Sequence, residues 1–420
     1  MNIPDSQQLA INGGDPVRTT PFPERGHVGV EEKAAVDALF DHASASGTAP
    51  GYNGDQEMAY CEEFAAYMGG GYADAVSSGT TALYTALRAL DLEPFTEVIV
   101  GAVTDPGGMM PIPLLNLIPM VADTAPGSYN PGPEQVTALI SPRTSAIVIP
   151  HIAGEPADSA GIVAIAREKR IPVIEDCSQS HGAKLHGQSI GTFGDLAVFS
   201  TMFGKHHNTG GQGGIVFTQD EALYQVVRRA SDRGKPFFLP EGTRNVFASL
   251  NLNLNEISAA IGREQLRKLP GSIDQRRKVT ALLIERIQDL DCVSIPSPLP
   301  GAEPSYWFLR IRFEGSSLSC DKETFCTALS AEGLPLGMDY RNAMPHLMPW
   351  YVERRVFGSS GYPWTSPDYH GDPNRQFPCP NAHAAMDIHF NLNIHEGWGE
   401  PEVDDAVDIF HKVAAAYQIA

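Results

Sequence analysis

Cysteine is scarce in this sequence. Six cysteines are scattered over 420 residues, and none of them forms a Cys-x-x-Cys pair. Closely spaced cysteines are typical of zinc ribbons, and a high cysteine density is typical of disulfide scaffolds, so the sequence indicates neither. Reduced thiols in a cytoplasmic protein are therefore expected. The six residues are Cys61, Cys177, Cys292, Cys320, Cys326 and Cys379.

Basic residues and long apolar runs are also in short supply. The chain has 30 Lys and Arg against 50 Asp and Glu, a formal net charge of -20. Such an acidic surface argues against nucleic acid or an anionic membrane as a partner. No apolar run is long enough to span a bilayer, and residues 1–6 lack the basic-then-apolar pattern of a secretory signal. We therefore expect a soluble, cytoplasmic protein.

Familiar nucleotide and metal motifs are absent as well. The pair Gly204-Lys205 is followed by His206 rather than by Ser or Thr, so it is not a P-loop. The glycines at 210–214 precede an apolar strand rather than a helix, which excludes a dinucleotide fingerprint. His395 and Glu396 have no third ligand at a fixed spacing, so no metal is expected.

Short apolar runs that alternate with helical patterns occupy residues 72–218. This alternation predicts an α/β fold, in which a mostly parallel sheet of seven strands is sandwiched by helices. The predicted strands are 75–76, 97–100, 118–121, 146–149, 172–174, 196–199 and 214–217. The predicted helices between them are 80–90, 133–140 and 160–169.

The rest of the chain suggests three parts. We predict an N-terminal arm over residues 1–30, a large domain over 31–269 and a smaller α+β domain over 270–420. A segment dense in Gly and Pro, residues 358–380, is expected to be a long surface loop. Further predicted elements are helices at 256–269, 272–290, 322–332 and 402–417 and a strand at 306–313.

The most informative residue is Lys205, which follows an apolar run and precedes a glycine-dense turn. The apolar run before that one ends in Glu175-Asp176. A lysine and an aspartate at consecutive strand ends are what a pyridoxal phosphate site requires, because the lysine forms a Schiff base and the aspartate keeps the pyridine nitrogen protonated. Taken alone, each has an ordinary alternative: a surface lysine in a glycine loop, and an acid that caps the next helix.

A third element, Ser78-Gly79-Thr80, lies where a short apolar run passes into a helix. Free N–H groups and the helix dipole make such a junction an anion site, although a plain N-cap is the more frequent alternative. The phosphate turn, the acid and the lysine each follow an apolar run, and ligands of open α/β sheets bind beyond the carboxyl ends of the strands. The three elements together therefore predict one site.

At this point the sequence resembles the DegT/DnrJ/EryC1/StrS family of sugar and aminocyclitol aminotransferases, which have the type I fold of pyridoxal phosphate enzymes. The resemblance covers nearly the whole chain. It rests on the arm segment 11–18, the phosphate turn 78–80, the segments 142–144 and 150–154, the motif 175–182 around Asp176, the spacing of Ser200 and Lys205, Asn251 with the helix start 256–262, and Pro345-His346.

The resemblance implies roles for these residues. Lys205 would form the internal aldimine with pyridoxal phosphate, and Asp176 would pair with the pyridine nitrogen. The remaining cofactor contacts would come from Gly79, Thr80 and Ser200 at the phosphate, Gln179 at the ring edge, and Asn251 at the phosphate of a partner subunit. The family implies a homodimer with shared sites, with glutamate or glutamine as amino donor and a keto sugar or ketocyclitol as acceptor.

Four departures from the family pattern lie near this site. Asp105 occupies the place of an aromatic residue that normally stacks on the cofactor ring, and Asn253 that of an arginine. The glycine turn is one residue longer, and two histidines, at 206 and 207, follow the lysine. We expect substrate contacts from His151, His346 and Asp105. The departures leave open another pyridoxal phosphate reaction (decarboxylation, elimination or cyclisation) and a non-catalytic regulatory protein, but the retained Lys205 favours amine transfer.

Overall fold

The computed structural model describes residues 8–25 and 28–419. Its helices are α1 (Val30–Ser46), α2 (Asp55–Tyr67), α3 (Gly79–Ala89), α4 (Pro111–Leu114), α5 (Pro133–Thr137), α6 (Ser159–Lys169), α7 (Glu221–Ser231), α8 (Glu256–Arg286), α9 (Lys322–Ala331), α10 (Pro349–Val352), α11 (Pro380–Ile388) and α12 (Glu400–Tyr417). Its strands are β1 (Tyr72–Val76), β2 (Glu97–Gly101), β3 (Ile118–Ala122), β4 (Thr144–Pro150), β5 (Val173–Asp176), β6 (Lys184–Leu185), β7 (Gln188–Ser189), β8 (Leu196–Ser200), β9 (Gly214–Thr218), β10 (Val293–Ser294), β11 (Ala302–Glu303), β12 (Leu309–Phe313), β13 (Leu336–Gly337) and β14 (His389–Leu392).

The central sheet has seven strands in the order β1-β9-β8-β5-β4-β2-β3. Six of them run in the same direction, and β9 is antiparallel to both of its neighbours. Strands β2, β3, β8 and β9 are buried at every position, as expected for a parallel sheet covered on both faces. The predicted mostly parallel α/β sheet is confirmed, and each of the seven predicted strands is present.

The two faces of the sheet pack against different helices. Val98, Val148 and Ile174 face the apolar side of α3 in one cluster. Their neighbours in sequence point the other way, because side chains alternate along a strand. On that opposite face, the strands on the β1 side of the sheet pack against α2 and α8. The strands on the β3 side pack against α6. Because these strands are parallel, their carboxyl ends lie at the same edge of the sheet.

The C-terminal part contains a second, antiparallel sheet in the order β10-β12-β14-β13. Its core includes α9, α12 and the end of α8, with Phe325, Phe390 and Phe410 fully buried. The two helices predicted at 256–269 and 272–290 are wrong, since α8 is a single helix of 31 residues with Pro270 inside it. Proline removes one backbone donor, but Leu269 and Ile273 are buried on either side of it. The division into domains at 269/270 stays a prediction, and that position lies inside α8.

Some elements differ from expectation. Not among the predicted elements are the helices α4, α7, α10 and α11 and the short strands β6, β7, β10, β11, β13 and β14. Residues 358–379 contain no helix or strand, as predicted for a loop, yet Trp364 and Tyr369 are buried against the sheet core. Large aromatic side chains bury much apolar area, so this loop is anchored at two points rather than free on the surface.

The described part of the N-terminal arm, residues 8–25, attaches to the C-terminal part. Leu9 is buried in the core of the small sheet, and Phe22 stacks on Trp398 with 4.6 Å between ring centroids. The buried carboxylate of Glu332 accepts the backbone N–H groups of Ala10 (2.8 Å) and Val17 (2.9 Å). Of the rest of the predicted arm, residues 1–7 and 26–27 lie outside the described residues, and residues 28–30 lead into α1.

Candidate active site

A cavity of about 250 Å³ lies at the carboxyl ends of the parallel strands. Parallel strands bring the residues that follow them to one edge of the sheet, so positions far apart in sequence meet there. Eight of the ten predicted site residues line the cavity: Gly79, Thr80, Asp105, His151, Asp176, Gln179, Ser200 and Lys205. Ser78, Thr104, Met202 and Gln212 line it too.

Lys205 projects its amine into a buried position. The side chain is 8% exposed, and its Nζ lies 4.6 Å from the centroid of the Trp307 ring. Burial lowers the pKa of Lys205 to about 8, with the charge of Arg25 acting in the same direction, while Asp176 and Asp105 act to raise it. An amine with this pKa is unprotonated far more often near neutral pH than an ordinary lysine, so Lys205 is an activated nucleophile.

Asp176 ends β5 and supplies a carboxylate to the same cavity. Its Oδ1 accepts the backbone N–H of Ser178 at 3.1 Å. Burial raises the pKa of Asp176, and the hydrogen bonds from Ser178 and the charge of Lys205 oppose that effect. A carboxylate buried in this way gains from a cation placed against it. Asp176 is thus suited to hold a protonated ring nitrogen.

The turn before α3 is both an N-cap and an anion cradle. The Ser78 hydroxyl accepts the N–H of Thr81 at 3.1 Å, and Thr81 Oγ1 accepts the N–H of Ser78 at 2.9 Å. The capping interpretation is therefore confirmed. The N–H groups of Gly79 and Thr80 come at the start of the helix, where no intrahelical acceptor exists, and both residues line the cavity. These N–H groups and the Ser200 hydroxyl suit a phosphate.

Gly79 is held close to the end of β8. A Cβ at this position would lie 2.6 Å from the Cβ of Ser200, so even alanine forces the turn and the strand apart. We expect Gly79→Ala to weaken the binding of pyridoxal phosphate about tenfold, which corresponds to about 1.4 kcal/mol. The measurement is an equilibrium titration of the cofactor-free protein with pyridoxal phosphate. Gly271→Ala is the control, since Gly271 lies in α8 outside the cavity and has open space around a new Cβ; equal affinities of Gly79→Ala and wild type would contradict the prediction.

Gln179 is held from two sides. Its Oε1 accepts the N–H of Ala153 at 3.0 Å, and its Nε2 donates to the Tyr340 hydroxyl at 3.0 Å. An amide nitrogen carries two hydrogens, so one remains for a ligand in the cavity. This arrangement is compatible with the predicted contact at the ring edge.

His151 offers the cavity a ring surface rather than a hydrogen-bonding nitrogen. Its Nδ1 accepts the N–H of Ala157 at 3.0 Å, so it is unprotonated there, and its Nε2 donates to Glu175 Oε2 at 3.2 Å. Burial opposes ionisation of Glu175, but hydrogen bonds from His151, Gly194 and Ser159 outweigh it and lower the pKa of that carboxyl. Both nitrogens of His151 are engaged, so the substrate contact expected from this residue, which stays a prediction, would use the ring face.

Asp105 faces the cavity. Its Oδ1 accepts the N–H of Gly107 at 2.8 Å, and its charge acts to raise the pKa of both Lys205 and Asp176. The position at which the resemblance implies a stacking aromatic residue therefore carries a carboxylate in a residue that lines the cavity.

The other two predicted residues lie elsewhere in this chain. His346 is buried outside the cavity lining, and burial, with a contribution from His383, lowers its pKa to about 4. Its ring is enclosed by protein within this chain, and a substrate contact from His346 stays a prediction. Asn251 is exposed and forms a bridge with Asp232. Its contact with the phosphate of a partner subunit stays a prediction.

The two histidines after Lys205 do not enter the cavity. His206 Nε2 lies 3.2 Å from the Ser305 carbonyl oxygen, and His207 Nε2 lies 3.0 Å from the Tyr60 hydroxyl. Both rings pack against the ring of His181, whose centroid lies 5.8 Å from that of His206 and 5.9 Å from that of His207. These three residues form a buried histidine cluster beneath the lysine. Within the described residues, neither ring nitrogen of His181 has a hydrogen-bond partner.

The comparison with known proteins decides the identity of this arrangement. The model of the DegT/DnrJ/EryC1/StrS aminotransferase family matches residues 31–410. The chain belongs to this family. The predicted family and enzyme class are thereby confirmed, and enzymes of the family are in general dependent on pyridoxal phosphate.

Individual relatives agree with this assignment. L-glutamine:2-deoxy-scyllo-inosose aminotransferase of Micromonospora echinospora is 32% identical over 322 residues, which cover 73% of this chain and 76% of the relative. A second protein of that organism, named for L-glutamine and 3-amino-2,3-dideoxy-scyllo-inosose, is 30% identical over 285 residues, 68% of each chain. The structure of an aminotransferase from Psychrobacter cryohalolentis is similar with a TM-score of 0.83 and 24% identity, over 94% of this chain and 100% of that one. The fold is thus the type I fold.

Two features are absent among the described residues. None of their helices combines the length and the apolar composition that crossing a bilayer requires. Across residues 8–25 and 28–419, no set of three or more His, Cys, Asp or Glu side chains is arranged to hold a metal ion.

Sequence reasoning missed three residues of this family member's site. Trp307 contacts the lysine amine, and Tyr340 holds Gln179. Arg25 of the arm donates to the backbone carbonyl of Lys205 and lies over the Trp307 ring at 5.3 Å. All three are more than 100 positions from their partners, and only the docking of the arm and the C-terminal part brings them there.

Arg25 belongs to a buried charge network. Its Nε donates to Glu396 at 2.9 Å, and Glu396 also pairs with Arg276 of α8. Because the positive charge of Arg25 acts to lower the pKa of Lys205, Arg25→Gln should raise that pKa and slow amine-specific labelling of Lys205 at pH 8 by roughly twofold, the effect of about half a pH unit at a pH close to the pKa. The measurement is the pH dependence of acylation in cofactor-free protein. Lys33→Gln, at an exposed site in α1, is the control; an unchanged profile in Arg25→Gln would contradict the prediction.

Proposed function

We propose that this enzyme is a pyridoxal phosphate-dependent aminotransferase that moves an amino group from glutamate or glutamine to a keto sugar, a ketocyclitol or a related intermediate of specialised metabolism. The observation that carries the proposal is the buried amine of Lys205, with a pKa lowered to about 8, in one cavity with Asp176 and the start of α3. The nucleophilic amine of Lys205 matches the aldehyde of that cofactor, and the carboxylate of Asp176 matches its pyridine nitrogen. The anion-binding turn at the start of α3 matches its phosphate.

The residues of the chain divide the work. The first turn of α3 and Ser200 would hold the phosphate, and the carboxylate of Asp176 would keep the ring nitrogen protonated. When bound, the cofactor supplies an electron sink that acidifies the carbon bearing the amine. Lys205 Nζ, with its lowered pKa, would accept the proton from the donor carbon that bears the amine and would deliver it to the carbon of the former cofactor aldehyde, so that the amine stays with the cofactor. The surrounding protein buries Lys205, which excludes water from the proton transfer.

The nature of donor and acceptor is proposed from the relatives. Both Micromonospora echinospora proteins carry L-glutamine and an inosose, a cyclic polyhydroxy ketone, in their names. The coarser statement, a small-molecule amino donor and a keto acceptor, holds for the family as a whole.

We further propose a homodimer that works in the cytoplasm. Phe203, two residues before Lys205, is 69% exposed, and Leu250, beside Asn251, is 53% exposed. Apolar side chains exposed beside a site favour an interface. The six cysteines are free thiols, which suits a reducing compartment.

The test is the absorption spectrum of the purified protein loaded with pyridoxal phosphate, before and after addition of L-glutamine or L-glutamate. Conversion of the band of the bound aldehyde cofactor into that of its amine form is the expected result. A band that neither donor changes would overturn amine transfer from these donors. The lack of any band after loading would overturn the cofactor site itself.

A further inference from the structure

The charged side chains that line the cavity are few. They are Asp105, Asp176 and Lys205, and no arginine is among the described residues that line it. The proposed function uses Asp176 for the ring nitrogen and Lys205 for the cofactor. Asp105 is then an ionisable lining residue to which the proposed function gives no role.

The carboxylate of Asp105 is fixed but not neutralised. Its Oδ1 accepts the N–H of Gly107 at 2.8 Å, where the side chain caps the short 3-10 turn Pro106–Gly108. The backbone beside it is tied down, because the Thr104 N–H donates to the Ala343 carbonyl at 2.7 Å. Within the described part of the chain, no lysine, arginine or histidine forms an ion pair with Asp105. An exposed carboxylate held in one orientation is ready to accept a cation.

The electrostatic influence of Asp105 extends across the cavity. Its charge acts to raise the pKa of Lys205, of Asp176 and of the Tyr340 hydroxyl. A negative field of this kind attracts a cationic ligand and repels an anionic one. An amine-bearing cyclitol would bring an ammonium group to this carboxylate, whereas a nucleotide-linked neutral sugar would bring no cation to it.

We propose that the amino acceptor of this enzyme already carries one ammonium group, and that Asp105 is the residue that binds it. The inference rests on the proposed function and names the substrate class of the same site: a cyclic polyhydroxy ketone that has been aminated once, rather than a nucleotide-activated sugar. The relative named for 3-amino-2,3-dideoxy-scyllo-inosose carries such an amine in the name of its acceptor. A reaction that installs the first amine must therefore supply this substrate.

The test uses the reverse half-reaction of the full-length protein loaded with pyridoxal phosphate. Two amines that differ by one amino group are titrated: 1,3-diamino-1,2,3-trideoxy-scyllo-inositol and 1-amino-1,2-dideoxy-scyllo-inositol. The spectral change gives an apparent Kd for each, and thermal shift of the same samples gives a readout that needs no turnover. Asp105→Asn removes the charge and keeps the shape, and Asp368→Asn makes the same change at an exposed site outside the cavity.

Wild type and Asp368→Asn are expected to bind the diamine about tenfold more tightly than the monoamine, the effect of one charge-assisted hydrogen bond. In Asp105→Asn the ratio of the two Kd values should fall to about one. In the wild type, a higher salt concentration should reduce this ratio. Equal affinities in the wild type, or an equal loss for both amines in Asp105→Asn, would overturn the inference. If the monoamine and L-glutamine change the spectrum but the diamine has no advantage, this inference alone fails. If no amine changes the spectrum, the proposed function fails with it.

Discussion

Replacement of Lys205 by alanine is expected to reduce amine transfer by about 10⁴-fold or more, the order of loss that follows removal of a group that bonds to the reacting molecule. The amine of Lys205 is buried in the cavity, opposes two carboxylates and has a lowered pKa. Lys205→Arg should be equally inactive, because the guanidinium group of arginine stays protonated near neutral pH and is therefore not a nucleophile.

The measurement is the rate of the half-reaction with L-glutamine in stopped flow, with the melting temperature as a check on folding. Lys169→Ala, at the exposed end of α6, removes a lysine without touching the site and should leave the rate within about twofold, since surface changes have small effects. A Lys205→Ala protein that is folded and keeps more than about one hundredth of the rate would assign the chemistry to another group.

The second large effect is a loss of stability in mild acid, caused by the buried histidine cluster. Burial lowers the pKa of His181 and His206 well below the usual value and that of His207 to about 4. In the unfolded chain each histidine takes up a proton near pH 6.5. Between pH 6.5 and 4 the unfolded state therefore binds more protons than the folded state, and the free energy of unfolding falls by up to about 1.4 kcal/mol per pH unit for each histidine.

For His207 alone the loss approaches about 3 kcal/mol at pH 4. Burial also lowers the pKa of His346 and His389 to about 4, which adds to the effect. Glu57 acts in the opposite sense, because burial raises its pKa to about 7 and the folded state then binds the proton first. Burial also raises the pKa of Asp176, whereas it lowers that of a sixth histidine, His395. Two acids offset only part of the effect of six histidines, so the net stability falls as the pH falls below 6.5.

The measurement is the free energy of unfolding in urea at several pH values from 7.5 to 5. His181→Leu should flatten the pH dependence by about one proton, whatever its effect on stability at pH 7.5. His370→Gln, at an exposed loop position, should keep the wild-type slope. A slope that His181→Leu leaves unchanged would show that this ring is protonated in the folded protein or neutral in both states.

The strands and the meeting of Lys205 with Asp176 were predictable because both follow from local sequence. Apolar runs such as Val98–Val100 and Leu196–Phe199 are too short for core helices, and parallel connection places their carboxyl ends at one edge. The continuity of α8 was not predictable, since Pro270 is a strong local helix breaker and only the burial of Leu269 and Ile273 outweighs it.

The side-chain directions around the lysine could not be predicted either. His206 and His207 are adjacent to Lys205 in sequence, but the turn directs them into the core rather than into the cavity. Conversely, Trp307 and Arg25 reach the lysine from distant segments. Local patterns predict which residue types surround a strand end, whereas packing between distant segments determines which of them touch.

The unbroken helix α8 has a consequence for how the molecule can be divided. Its first half places Leu266 and Leu269 in the core behind the large sheet, and its second half places Val279 and Leu283 in the core of the small one. A fragment that stops at residue 269 would leave an apolar helix end without its continuation, and the remaining fragment would begin in mid-helix. The two cores are therefore expected to melt as one cooperative unit, and a protease should find no nicking site between them until the whole protein opens.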